Sequence, residues 1–260
     1  MIKEFAFGLS NRHHFQAVEK MGDWTGLDKD TFTSLYDYDE YVIEFYAKNK
    51  TLSGFDGLIY IPDEFILDVD GPETEKAIQR TIGLLILLKD ISVPYNLYFS
   101  GRGFHVGIPS TAFRWRPDKE LHLKVKDALT NAGIFDYADP SVTDKTRLIR
   151  LANTKNLKSG FWKVAIKESV LHENIEDLFK YARKPQQLLN FTLECDPVFD
   201  VLVRVKAKEE PTVLQSIGMS PDPVNHTCIQ RMLDGAASGK RHMLALRIAA
   251  HLRWRYPEHI

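Results

Sequence analysis

Phe65-Ile66-Leu67-Asp68-Val69-Asp70, closed by Gly71-Pro72, is the stretch whose reading decides the fold. Successive side chains on a β-strand point to opposite faces, so Phe65, Leu67 and Val69 can face a core while Asp68 and Asp70 project from the other side. Gly71 and Pro72 end the strand and leave both carboxylates at its exposed end. Two like charges this close are costly unless something positive sits between them. Mg²⁺ or Mn²⁺, bound through oxygen ligands and able to bridge to phosphates, supplies that charge. Taken alone, the hexapeptide is also compatible with a strand ending in a solvated turn.

The next segment downstream, residues 96–108, strengthens the metal-and-phosphate reading. Asn96 to Ser100 is strand-like, Gly101-Arg102-Gly103 is a turn, and Phe104 to Ile108 is strand-like again. Phe104, Val106 and Ile108 share one face; Gly103, His105 and Gly107 share the other. Two glycines beside His105 on its own face are expected to leave space for a ligand. Backbone N–H groups of the turn, with the Arg102 side chain, are candidate phosphate donors.

A third segment follows. Asp139 precedes Val142-Thr143 and the basic strand Arg147-Leu148-Ile149-Arg150-Leu151, with Asp144 a rival third carboxylate. Asn153-Thr154-Lys155 and Lys158-Ser159-Gly160 then read as a turn, and Phe161-Trp162-Lys163-Val164 as a returning strand. In a chain of net charge -1, the excess of positive charge between Lys145 and Lys167 is local. Local patches of this kind track phosphates.

In this order the three segments resemble the archaeo-eukaryotic primase superfamily, the primase-polymerases of plasmids, phages and cells. That family shows a hydrophobic strand ending in Asp-x-Asp, a Ser-Gly-x-Gly-x-His hairpin, and a third Asp before an Arg-Leu-Pro-x-Ser/Thr-x-His-x-Lys-Thr-Gly stretch. Here these are Asp68-Val69-Asp70, Ser100 to His105, Asp139, and Arg150 to Gly160. The resemblance covers roughly residues 30–170. Ala152 stands where the family has proline and Asn156 where many members have histidine.

The resemblance implies a mixed α/β catalytic core with an RRM-like sheet. It also implies a DNA primase or polymerase, a nucleotidyltransferase acting on single-stranded DNA template with NTP or dNTP substrates. Asp68, Asp70 and Asp139 would ligate two Mg²⁺ or Mn²⁺ ions per site. Ser100, Arg102, Gly103, His105, Arg150 and Lys158 would bind the nucleotide. Arg147, Lys155, Trp162, Lys163 and Arg241 are candidate nucleic-acid contacts. A replicative helicase, in the same longer chain or a separate one, is an expected partner, and the expected setting is prokaryotic cytoplasm with a phage or plasmid origin. The rival readings are a metal-dependent nuclease or phosphohydrolase using the same carboxylates, and a non-catalytic nucleic-acid-binding module.

Composition bounds these readings. A chain of 260 residues with 44% hydrophobic content can bury one substantial core and a small second unit. Nothing in it is apolar for long enough to span a bilayer, and Met1-Ile2-Lys3-Glu4 lacks a signal-peptide core. Two cysteines, Cys195 and Cys228, make no zinc ribbon and fit a reduced, intracellular setting. A pI near 6.8 argues against tight nonspecific DNA binding without help.

Along the chain, residues 28–49 read as a helix capped by Asp28, with Phe32, Tyr36, Tyr41 and Phe45 as a core-facing stripe. Glu73–Lys89, Asp118–Ala132 and Glu173–Ala182 read as further helices. The expected organisation is a catalytic domain over 1–190, a linker over 191–222 and a helical module over 223–260. There Arg241, Arg247, Arg253 and Arg255 share a helix. His13-His14 reads as a solvent-exposed turn rather than a metal site. Trp24, Trp115, Trp162 and Trp254 read as packing residues, with Trp162 the one placed to stack on a base.

Overall fold

Residues 1–186 and 193–199 are described by a computed structural model, which has a mixed α/β fold of two curled antiparallel sheets. The larger sheet is built mostly from the N-terminal third. Strand β1 (Ile2–Phe7) pairs with β2 (Asn11–Ala17) on one side, and with β3 (Thr31–Ser34) and β4 (Asp37–Tyr38) on the other. Helix α1 (Tyr41–Asn49) leads to β5 (Ile59–Tyr60), which pairs with β4.

The smaller sheet uses β6 (Glu64–Val69), β7 (Asn96–Phe99), β8 (Phe104–Pro109) and β10 (Val164–Ile166), in the order β10-β7-β8-β6. Between them run helix α2 (Thr74–Asp90), helix α3 (Leu121–Asn131) and β9 (Leu148–Arg150), and helix α4 (Ile175–Tyr181) follows. β9 belongs to the larger sheet, beside β3. The run β6-α2-β7-β8-α3 follows the expected RRM-like pattern. Its closing strand β10 joins at β7 rather than beside β6.

The alternation read in β6 holds: Phe65, Leu67 and Val69 are fully buried. They form a core with Phe104, Val106 and Ile108 of β8, Ala77, Leu84 and Leu88 of α2, and Val125 and Leu129 of α3. Burying a side chain of this size is worth about 1.5–3 kcal/mol, so this layer fixes which face of the sheet looks outward. The outward face carries Asp68, His105 and Tyr98 in one cross-strand row.

Residues 28–49 are not one helix. Thr31–Ser34 and Asp37–Tyr38 are strands and the helix starts only at Tyr41. The β-branched Thr31 and Thr33 alternate with Phe32, a pattern suited to a pleated surface, and the aromatic spacing over that stretch coincides with a helical period by accident. Asp28 caps nothing; it pairs with Lys155 at 2.9 Å. His13 and His14 lie within β2, each partly buried, rather than in an exposed turn.

Helix α3 begins at Leu121, because Asp118 bridges back to Ile59. Of the expected linker, only 193–199 are described, and there Phe199 is buried and stacks on Phe113 at 4.8 Å. The expected module at 223–260, with Arg241 and Cys228, lies outside the described residues. Among the described residues no helix is long and apolar enough to cross a membrane.

Candidate active-site cleft

Between the outward face of the smaller sheet and the larger sheet lies a cleft of about 870 Å³. Asp68, Asp70, Ser100, Arg102, His105, Arg147, Arg150 and Lys158, singled out from three separate segments, all line it. Asp144 lines it too. Asp139 stands behind, but its backbone N–H donates to Asp68 O at 2.8 Å, which fixes it beside the end of β6.

The carboxylates are held unequally. Burial first, then the charge of Asp70, pushes the Asp68 carboxyl up to about 6, against the pull of Arg147. Asp139 accepts from the backbone N–H and hydroxyl of Ser141 at 2.9 and 2.6 Å. Partial burial opposes ionisation there, but these bonds and Arg147 hold its carboxyl below the usual range. Arg147 Nη2 lies 3.5 Å from Asp68 Oδ2 and 3.3 Å from Asp139 Oδ2, so its guanidinium bridges the two. Arg147 Nε is buried without a hydrogen-bond partner among the described residues, so the guanidinium is incompletely satisfied there.

His105 Nε2 lies 3.4 Å from Asp68 Oδ1. Burial, reinforced by the charges of Lys163, Arg150 and Arg147, holds His105 well below the ordinary histidine range, so its ring is neutral. The glycines flanking it do not leave open space. A Cβ on Gly103 would sit 2.5 Å from Asp70 Oδ1 and 2.6 Å from Val69 O, and one on Gly107 would overlap the Glu64 carboxylate. They make room for acidic side chains of β6 rather than directly for a ligand.

The Ser100–Gly103 turn is built on Gly101, at φ 96, a conformation that favours glycine. A side chain there would also strike Asn156. Ser100 Oγ accepts from Gly103 N–H at 3.3 Å, and Asn156 Nδ2 donates to Ser100 O at 3.3 Å. Asn156 Oδ1 in turn accepts from the N–H groups of Lys158 and Ser159 at 3.1 and 3.4 Å. Asn156 thus ties the hairpin to the loop carrying Lys158.

The basic residues separate into two groups. Arg102 and Lys158 sit at the rim with exposed side chains. Arg150 is pinned: it pairs closely with Asp30, donates to Lys155 O at 3.1 Å and lies 4.7 Å over the Phe32 ring. Lys155 pairs with Asp28 outside the cleft lining. Trp162 packs in the core and Lys163 is buried, so neither of these expected nucleic-acid contacts stands on the exposed surface. Lys163 Nζ donates to Arg150 O at 2.8 Å and sits 4.9 Å over the Tyr98 ring. Burial draws its ammonium down to about 7, despite the attraction of Glu64 and Asp68.

Leu9, Ser10, Arg12, Asp30, Phe32 and Thr146 also line the cleft, and sequence reasoning did not find them. Arg12 and Phe32 come from β2 and β3 of the larger sheet and the others from loops next to its strands, whose pairing has no local motif. The signal lies in register: Phe32 opposes Arg150 across β3 and β9.

Hard carboxylate oxygens suit Mg²⁺ or Mn²⁺, and burial together with the neighbouring charge of Asp70 makes the Asp68 carboxylate costly to ionise without a cation beside it. Asp68 and Asp70 therefore fit such an ion. Among the described residues, however, no group of three or more His, Cys, Asp or Glu side chains converges closely enough to enclose one. Asp139 reaches the pair through Arg147.

No protein-family profile matches the chain, and no curated protein matches it. Among solved structures it is similar to the polymerase domain from Mycobacterium tuberculosis Ligase D in complex with DNA. The identity is 10% and the TM-score 0.37, over 69% of this chain and 60% of that one.

Proposed function

We propose that the chain is a nucleotidyltransferase of the primase-polymerase kind, joining nucleotides on a single-stranded DNA template. The observation that carries the reading is the convergence, in one cleft, of the Asp68–Asp70 end of β6, the Gly101-Arg102-Gly103 turn and the cations of the β9–β10 segment. Paired carboxylates facing clustered cations suit a nucleoside triphosphate with its divalent counter-ions better than they suit a neutral ligand.

In this reading Arg102 and Lys158 at the rim take the triphosphate oxygens, with turn N–H groups beside them. The attacking hydroxyl oxygen forms a bond to the α-phosphorus and gives up its proton to solvent while the bond to pyrophosphate breaks. Asp68 and Asp70 would hold Mg²⁺ or Mn²⁺, and Asp139 would join them only on giving up its contact with Arg147. When bound, these ions lower the pKa of the attacking hydroxyl and neutralise the leaving group. Neutral His105 packs against Asp68 Oδ1 and holds that carboxylate in place without adding charge.

The test is synthesis on single-stranded DNA with Mg²⁺ or Mn²⁺ and labelled ribo- or deoxynucleotides, with and without a primer. Product from wild type and none from a folded Asp70→Ala variant is the expected result, and it identifies the sugar preference. Degraded template with no synthesis in either format would replace this reading with the nuclease.

A further inference from the structure

Arg12 belongs to none of the segments above, yet it lines the cleft, and three features of the larger sheet put it there. The β1–β2 pairing runs in register through Phe5↔His14 and resumes at Phe7↔Asn11, so Arg12 and His13 together oppose the single residue Ala6. That is a β-bulge, a device that re-aims a side chain and recurs beside active sites. His13 adopts φ 73, a left-handed conformation that residues with a Cβ seldom take. Ala6 itself opposes Phe32, which opposes Arg150. The bulge therefore adds Arg12 to a row that already forms one wall of the cleft.

The second feature is Glu4, whose side chain is fully buried. Its carboxylate receives Arg12 Nε at 2.9 Å, Arg12 Nη2 at 3.0 Å and the His13 N–H at 3.1 Å. A buried ion pair is weak evidence for stability, because apolar replacements do as well or better. A two-pronged fork does fix the direction of a guanidinium, and that is its use here. Third, Arg12 Nη2 also donates to Thr146 O at 3.1 Å, which joins the wall to the residue preceding Arg147. These bonds leave Nη1 without a partner among the described residues, on a side chain that is 28% exposed.

We infer that Arg12 is a phosphate-binding residue of this cleft, held in its binding orientation by Glu4 and by the bulge at Arg12–His13. The inference rests on the nucleotidyltransferase reading. The phosphate belongs either to the nucleoside triphosphate or to the backbone of the single-stranded template.

The experiment measures equilibrium binding to the full chain of two probes, a nucleoside triphosphate with Mg²⁺ and a fluorescent oligodeoxythymidylate. Wild type is compared with Arg12→Ala, Arg12→Lys and the double variant Glu4→Gln/Arg12→Gln. The double variant leaves no unpaired buried carboxylate and guards against simple unfolding. Affinity for one probe is expected to fall about tenfold, the scale of one charge-assisted hydrogen bond. Which probe is affected assigns the phosphate. If it is the oligonucleotide, the salt dependence of binding should also lose one phosphate contact, about 0.7 in log–log slope. A purely structural salt bridge would leave that slope unchanged. Unchanged binding of both probes by the folded double variant overturns the inference and leaves the function reading intact. Wild type that binds neither probe overturns both.

Discussion

Two glycines beside His105 make different demands, although the sequence shows them as equivalents. Gly103 abuts the backbone oxygen of Val69 as well as Asp70, so an added methyl has to move the end of β6 itself. The nearest atoms to a methyl on Gly107 belong to the Glu64 side chain, whose carboxylate Asn96 and Tyr98 hold but which can swing aside. Gly103→Ala should therefore cost about 1–3 kcal/mol and abolish synthesis, the ordinary range for overpacking. Gly107→Ala should cost less and leave synthesis measurable. Thermal melts and the incorporation assay check both, and equal effects of the two variants would refute the distinction.

Lys163 carries the pH prediction at this scale. Burial pushes its ammonium down to about 7, against about 10.5 for a lysine in water, so keeping it charged in the core is penalised. The penalty is absent above pH 10.5, grows as the pH falls and is complete below about 7. A depression of that size corresponds to about 5 kcal/mol. Losing the charged hydrogen bond to Arg150 O returns about 1.5–3 kcal/mol of it. Lys163→Met should thus be more stable than wild type by about 2 kcal/mol at pH 6, with the advantage gone by pH 10. Chemical denaturation across that range reads it; an advantage independent of pH would mean that the buried charge is not its origin. Of the residues in the site, Asp68 and His105 were legible in the sequence because strand alternation assigns their face without tertiary knowledge. Burial of Lys163 was not, since a basic, aromatic strand reads the same whether its charged face meets solvent or another sheet, whereas Trp162 was readable as a packing residue.

At the scale of elements, the cleft depends on loops from different strands being tied together, and Asn156 is the tie. It holds Ser100 O on the hairpin and the Lys158 and Ser159 N–H groups on the β9–β10 loop. In the nucleotidyltransferase reading, Asn156→Ala should raise the KM for nucleotide about tenfold with a smaller change in kcat, because it frees the rim that carries Arg102 and Lys158 without touching Asp68 or Asp70. A fall confined to kcat would place Asn156 in the chemistry instead. The elements that form this site were legible in proportion to how local their patterns are. Helix α2 and the β7–β8 hairpin follow from period and turn glycines within one window. β3 and β4 did not, because four or fewer residues each, backed by aromatics at near-helical spacing, carry too little periodicity to outvote the helix. Their strand identity comes from pairing with β1 and β9, which are distant in sequence.

For the whole molecule, the balance of charge is the governing fact. Net charge is -1, yet the cleft sets Arg12, Arg102, Arg147, Arg150 and Lys158 against Asp30, Asp68, Asp70 and Asp144. Arg150 is spent on Asp30, and Arg147 on Asp68 and Asp139. Few cations remain free for phosphate, while Asp68 and Asp70 repel any that approaches. In the proposed reading, binding and chemistry therefore place opposite demands on the same two carboxylates. Without divalent metal, a double variant Asp68→Asn/Asp70→Asn should bind single-stranded DNA more tightly than wild type. A charge pair a few ångströms apart in water-like surroundings is worth about 1 kcal/mol, so the gain should be roughly fivefold to tenfold. It should shrink when Mg²⁺ or Mn²⁺ is added, because the ion cancels the repulsion in wild type and has no Asp68–Asp70 pair to bind in the variant. Synthesis by the variant should be absent under every condition. Fluorescence anisotropy with and without chelator separates the two demands. If the variant binds no better than wild type in chelator, the polynucleotide does not pass the end of β6, and the carboxylates and the template do not share this cleft.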